Sequence, residues 1–345
     1  MKTWNNSQFF RIATALILAF FATLFIHYFR TPTSSAPDFE CSNSSQNSVN
    51  IAITNGESGS SIAQSLYSSG VIKSAESYFR VAVGDLRSQK VAPGIHQIEK
   101  RICAKMALEQ LLDSSRIVGL IDITEGAWLT EVIPQFNRAG MSRLEISKAM
   151  NVVVKPQGFS HLEGLLFPAQ YSFAQGTSAL TALQTMVDRA EKEMRKAGFY
   201  STREKITPQK LLIIASLIQA EGNEQDFSRI SQVIRNRLAK GMPLQFDSTV
   251  HYVKKSRGSV FLSTNSTLID SPYNTYRRYG LPPGPINNPG AVALRAAVNP
   301  LKGDWLYFIT VAPFDTRFTN NLEQFNIWKI EYKKNLREGR FEARK

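Results

Sequence analysis

Cysteine and histidine are scarce in this chain, with two of the first and four of the second in 345 residues. Cys41 and Cys103 lie too far apart to read as a zinc site, and the histidines show no metal-ligand spacing. No metal or other cofactor is therefore expected. In an oxidising compartment the two thiols could pair; in a reducing one they would be unrelated, and the sequence leaves both readings open. Acidic residues are also in deficit, 28 against 41 lysines and arginines, for a net charge of +13. Such a balance suits a polyanion, nucleic acid included, unless the compartment excludes it.

One apolar run argues for a particular compartment. Between Arg11 and Arg30 lie 18 residues in which only Thr14, Thr23, His27 and Tyr28 carry polar groups. That is close to the length a helix needs to cross a bilayer. Lys2 and Arg11 precede it, while Asp38 and Glu40 follow Arg30, so the positive-inside rule places the body outside the cytoplasm. A cleaved signal peptide is the competing reading, although the run is long for one and Pro37 follows the nearest small-residue site. Residues 12–29 are thus expected to anchor the chain in the cytoplasmic (inner) membrane, with the body on the periplasmic side. An exported body disfavours nucleic acid as a partner.

Ser, Pro and Asn dominate residues 31–48, which read as a linker. "VNIAI" alternates like a strand, "SSIAQSLYSSG" and "SAESYFRVAVGDL" read as short helices, and "GIHQI" as a closing strand. This β-α-α-β order over 49–115 resembles LysM-like modules, which bind amino-sugar polymers. "ITNGESGSSIAQSLYSSG" is echoed seventy residues later by "ITEGAWLTEVIPQFNRAG", pairing Gly56 with Gly126, Leu66 with Phe136 and Gly70 with Gly140. A second strand–helix unit over 117–140 is therefore expected, unless both stretches merely share the grammar of helix starts. Residues 158–176 read as a strand-rich connector.

The chemistry concentrates further along. Thr207 as N-cap, Pro208 at the first helical position and Gly222 as a stop delimit a nearly all-apolar helix ending on Glu221. Ile214, Leu217 and Ile218 precede Glu221 by seven, four and three residues, which puts the carboxylate on their face. Apolar neighbours and the negative end of the helix dipole both raise its pKa, as a general acid requires. From the helix alone, a frayed end with Glu221 in water is the favoured reading. "FSRISQVIRNRLAKG" continues as a second amphipathic helix. Between Pro272 and Gly290 prolines and glycines exclude helix or inner strand, and tyrosines and amides interleave with them. Flat rings and amides together suit a sugar-binding cleft; a rigid surface loop is the plainer alternative.

"ASLIQAEG", "VIRNRLAKGMPLQFDSTVHY", "SPYNTYRRYGLPPGPINNPG" and "AAVNPLKGDWLYFIT" together resemble, in order and spacing, the blocks of the YceG-like family, the endolytic murein transglycosylases. "HLEGLLFPAQYSF" is similar to a further block. The resemblance implies an α+β protein: a single N-terminal transmembrane helix (1–30 with its cytoplasmic tip), the LysM-like module at 49–115, and a mixed α/β catalytic domain at 116–345 with its core at 207–330. It implies lytic cleavage within peptidoglycan glycan strands, leaving 1,6-anhydro ends, with partners in cell-wall synthesis. Glu221 would be the catalytic acid, then base. Gln245, Asp247, Ser271, Tyr273, Asn274, Thr275, Tyr276 and Asn288 would bind substrate. Many relatives carry two glutamates where this chain has Gln219 and Glu221. The family's C-terminal histidines are replaced, with Thr316, Gln324 and Phe325 at the comparable positions. That departure keeps alive an inactive glycan-binding scaffold, and a hydrolase using Asp247 is the third reading.

Overall fold

The computed structural model describes residues 36–42, 47–202, 205–257 and 263–341. The apolar run at 12–29 lies outside them; among the described residues no helix is long and apolar enough to cross a membrane. The chain divides into two compact units that meet in the sequence at Arg116 and Ile117.

In the first unit, β1 (Ser48–Ile53) pairs antiparallel with β2 (Gly94–Glu99), placing Ile51 opposite His96. Alternation buries Ile51, Ile53, His96 and Ile98 on one face of this pair. Two helices, α1 (Gly59–Ser68) and α2 (Ala75–Gly84), lie between the strands in sequence, and α3 (Ala104–Leu112) follows. Ser58 and Ser74 cap α1 and α2 with their hydroxyls. Ile62, Leu66, Tyr78, Leu108 and Leu111 complete the core. Cys41 and Cys103 are joined as a disulfide, which resolves the choice the sequence left open.

The second unit opens on the same backbone. β3 (Leu120–Ile123) pairs antiparallel with β4 (Ala169–Ser172), and α4 (Leu129–Arg138) and α5 (Arg143–Val152) lie between them in sequence. Gly56 and Gly126 share φ of 77° in the strand-to-helix turn, a conformation that favours glycine. After the helix, Val71 N–H donates to Leu66 O, and Met141 N–H donates to Phe136 O. The echo thus extends beyond strand and helix to a full β-α-α-β. Residues 158–176, expected to be strand-rich, hold only the four residues of β4; Pro168 and the turns around it leave little room for a ladder.

The rest of the unit is mainly helical: α6 (Ala179–Ala197), α7 (Pro208–Glu221), α8 (Phe227–Ala239), α9 (Asp247–Lys254) and α10 (Ala291–Val298). A hairpin of β5 (Tyr307–Ala312) and β6 (Asp315–Thr319) then leads to α11 (Leu322–Arg337). Every residue from Leu211 to Ile218 is buried, so α7 is a central helix, apolar all round and packed by α8 and α10. Thr207 caps it as its sequence implies, accepting from Lys210 N–H. Gly222 ends it differently from expectation. Its backbone is extended, and a Cβ there would lie 2.3 Å from Ile230 Cδ1, so the glycine admits the close approach of α8.

Candidate active site

Glu221, the last residue of α7, keeps partial exposure as a residue while its carboxyl group is enclosed. Burial first, and then the charge of Asp247, push its pKa up to about 7. Hydrogen bonding from Ser248 and the nearby Arg237 guanidinium oppose that rise. Ser248 Oγ donates to Glu221 Oε1. Arg237 is itself buried and spends its donors on backbone: Nε on Leu306 O at 2.6 Å and Nη1 on Leu244 O at 2.5 Å. It therefore supplies a fixed positive charge without forming an ion pair with Glu221.

Asp247 and Ser248 begin α9, and the chain entering them is unusual. Gln245 is exposed and has φ of 52°, a left-handed conformation that costs a non-glycine residue about 1–2 kcal/mol. The loop beyond Pro272 holds it: Gln245 N–H donates to Thr275 O, and Phe246 N–H donates to Thr275 Oγ1. Tyr276 donates its hydroxyl to Asp247, tying the same loop to the residue beside Glu221.

The residues expected to bind substrate divide into two groups. Asp247 and Tyr276 stand beside Glu221, and Gln245 shapes the turn before them. Ser271 and Tyr273 line a hollow of about 250 Å³ with Trp128, Glu163 and Tyr252. Asn274, Thr275 and Asn288, by contrast, are buried and committed to the scaffold. Asn274 Nδ2 donates to Thr267 O and Ile269 O, and Asn288 Nδ2 donates to Ala127 O while its Oδ1 accepts from Leu166 N–H. A loop without a ladder leaves backbone groups unpaired, and these amides satisfy them.

A second hollow, of about 340 Å³, opens beside Ser248 and is lined by Glu125, Gln219, Ile286 and Asn287 among others. Trp128 borders both hollows, with its ring edge-on to Tyr252 at 5.9 Å and Arg257 over its face at 4.1 Å. Gln219, two residues before Glu221, turns to this side, where its Oε1 accepts from Gly290 N–H at 2.9 Å.

Sequence reasoning missed several residues here: Ser248, Arg237, Glu163 and Glu125. Glu163 is buried, and desolvation pushes its pKa up to about 7. It accepts from Leu129 N–H at 3.0 Å and from the Tyr252 hydroxyl at 3.2 Å. Its only sequence signal was a place inside the "HLEGLLFP" block. Among the described residues no group of His, Cys, Asp or Glu converges as metal ligands.

The model of the YceG-like family matches residues 51–329. The chain belongs to that family. It is 32% identical over 310 residues to an endolytic murein transglycosylase of Bacillus subtilis, covering 84% of this chain and 86% of that one. An endolytic murein transglycosylase of Streptococcus pneumoniae is 36% identical over 182 residues, 49% of this chain but only 32% of the relative. A crystal structure of a yceG-like protein from Listeria monocytogenes superposes with a TM-score of 0.55 at 28% identity, covering 82% of this chain and 99% of the other. The Bacillus relative and the Listeria structure are each matched over most of their own length, 86% and 99%.

Proposed function

We propose that this chain is a membrane-anchored endolytic lytic transglycosylase of peptidoglycan, with Glu221 as its acid and then its base. The observation that carries the reading is a carboxyl group enclosed at the end of α7, its pKa up to about 7 and one oxygen fixed by Ser248. A group so placed holds a proton near neutral pH. It delivers that proton to the oxygen between N-acetylmuramic acid and N-acetylglucosamine as the bond to the anomeric carbon breaks. The muramyl C6 hydroxyl then bonds to that carbon and returns its proton to Glu221. No water enters, and the intramolecular attack gains from proximity. Arg237 and Ser248 stabilise the carboxylate between the two transfers.

Residues 12–29 serve as the anchor, with the body on the periplasmic side. The Cys41–Cys103 disulfide supports an oxidising location. The LysM-like first unit would hold glycan, and cell-wall synthesis proteins are the expected protein partners.

The second reading, a glycan-binding scaffold with weakened turnover, rests on the replacement of the family's C-terminal histidines. Where the family carries histidines, Thr316 shares a hydroxyl contact with Thr310 at 3.0 Å, and Phe325 stacks on Tyr307 at 5.2 Å. Tyr307 in turn lies under the Arg237 guanidinium, 5.4 Å from the ring centre. Phe325 thereby supports Arg237 from behind by packing, which favours retained activity.

Incubation of the chain with peptidoglycan sacculi, followed by mass analysis of the products, separates the readings. Anhydro-ended fragments that disappear in Glu221→Gln are the expected result. Reducing ends would instead indicate hydrolysis with Asp247, and binding without fragments the scaffold. Full lytic activity in Glu221→Gln would remove Glu221 from its role.

A further inference from the structure

Asn287, one of the residues lining the hollow beside Ser248, carries a polar atom with no partner among the described residues. Asn287 is 1% exposed, and its Nδ2 donates to Ser216 O at 2.8 Å. Its Oδ1 accepts no hydrogen bond from the described residues, although buried acceptors are nearly always satisfied. The residue is firmly placed. Ser216 Oγ also accepts from Ile286 N–H at 3.1 Å, so Ile286 and Asn287 are both pinned to α7.

Glu125 faces the same hollow from the strand-to-helix turn after β3. Its carboxyl group rests on Gly290, where a Cβ would stand 1.9 Å from Oε1. Burial first, and then the charge of Glu224, push the Glu125 pKa up, while the Gln219 amide, oriented by Gly290 N–H, opposes that rise. Ile286, Ala220 and Trp128 add an apolar wall to the same lining. The reacting acid is one hydrogen bond away, through Ser248.

A 2-acetamido sugar presents the matching set: an amide N–H, a hydroxyl on the adjacent carbon and a methyl group. We infer that this hollow is the subsite for an N-acetylhexosamine, with Asn287 as its specificity determinant and Glu125 as a substrate-positioning residue. Asn287 Oδ1 accepts the amide N–H, Glu125 accepts the neighbouring hydroxyl, and the apolar wall takes the methyl. A sugar with a plain 2-hydroxyl leaves the methyl's place unfilled and offers its hydrogen from a different position. Sites built to bond one polar group discriminate strongly against ligands that lack it. The ligand class rests on the lytic transglycosylase reading, whereas the unpaired acceptor and the carboxylate stand on geometry alone.

Calorimetric titration of the full chain carrying Glu221→Gln tests the inference without turnover, using chitotetraose and cellotetraose. Both are neutral β-1,4 tetramers that differ in the 2-substituent. Chitotetraose is expected to bind about tenfold or more tightly, a difference of about 1.4 kcal/mol. Adding Asn287→Ala should collapse that preference, while adding Glu125→Gln should weaken both ligands alike. In the otherwise unaltered enzyme, Glu125→Gln should raise KM on sacculi with kcat nearly kept. Equal affinity for the two tetramers overturns the subsite without recourse to any variant that fails to fold. Unchanged binding in Glu125→Gln removes that residue from it. Lytic products without the preference would sink the subsite alone. A preference that collapses in Asn287→Ala, without lytic products, would sink the lytic reading and leave the subsite standing. A preference that survives Asn287→Ala lies elsewhere, as in the LysM-like unit, and overturns the subsite.

Discussion

Ser248 hands its hydroxyl hydrogen to Glu221, while Asp247, one residue earlier on the same helix, repels the charge that Glu221 would carry. Adjacent residues at the start of α9 thus act on the same carboxyl group with opposite sign. The lytic rate should fall as pH rises through about 7, where Glu221 loses the proton it must donate. Ser248→Ala removes a stabiliser of the carboxylate, so this basic limb should move to higher pH. Asp247→Asn removes the like charge, so the limb should move to lower pH. Rate profiles of the three proteins on sacculi check this, and shifts of the same sign in both variants would contradict the arrangement.

Glu163 couples the protein's stability to pH. Its folded pKa of about 7 stands above its unfolded value, so the folded state holds a proton that the unfolded state has already released. Stability from this residue is therefore fully present below the unfolded pKa and declines as pH rises toward about 7. Glu163→Gln keeps an acceptor for Leu129 N–H and carries no charge. It should leave urea stability at pH 4 nearly unchanged and raise it at pH 8 by on the order of 1–3 kcal/mol. A variant destabilised equally at both pH values would show that the carboxyl's hydrogen bonds outweigh its burial.

How much of this was readable beforehand depends on the range of the contacts. Thr207, Pro208 and the apolar run mark α7 within its own residues, and structure agrees with that reading to the cap hydrogen bond. The glycines at 56 and 126 signal their turn in the same local way. Glu163 gave no such signal, because its partners, Leu129 and Tyr252, lie 34 and 89 residues away. Asn288 illustrates the opposite error. Its place in a Pro-Gly loop suggested sugar binding, but its amide joins segments 122 residues apart. Composition identifies a loop rich in hydrogen-bonding groups; it does not tell which of them the loop itself consumes. Of the two neighbours, Asn287 is the one whose oxygen finds no partner among the described residues.

The Cys41–Cys103 disulfide closes a loop of 62 residues in the first unit. In the chain-entropy account a closure of that length stabilises by about 4 kcal/mol, with measured cases typically 2–4. Reduction, or Cys41→Ser with Cys103→Ser, should lower the melting temperature of the first unit in differential scanning calorimetry. Unchanged melting after verified reduction would mean that the core around Leu66, Tyr78 and Leu108 already restricts the unfolded chain as much.

Gly290 offers a route to Glu125 that leaves the carboxylate in place chemically. Its φ of −77° is ordinary for any residue, so Gly290→Ala strains no backbone. The new methyl would instead meet the Glu125 carboxyl at 1.9 Å, and an exposed, flexible side chain yields before a helix N-terminus does. Glu125 should therefore swing away from Gln219 while α10 and the fold persist. KM on sacculi should rise several-fold, as in Glu125→Gln, with the melting temperature within a few degrees of the original. Combining the two substitutions should add little, because both remove the same contact. Full additivity would mean that Gly290→Ala acts elsewhere, through Gln219 and the end of α7 that bears Glu221.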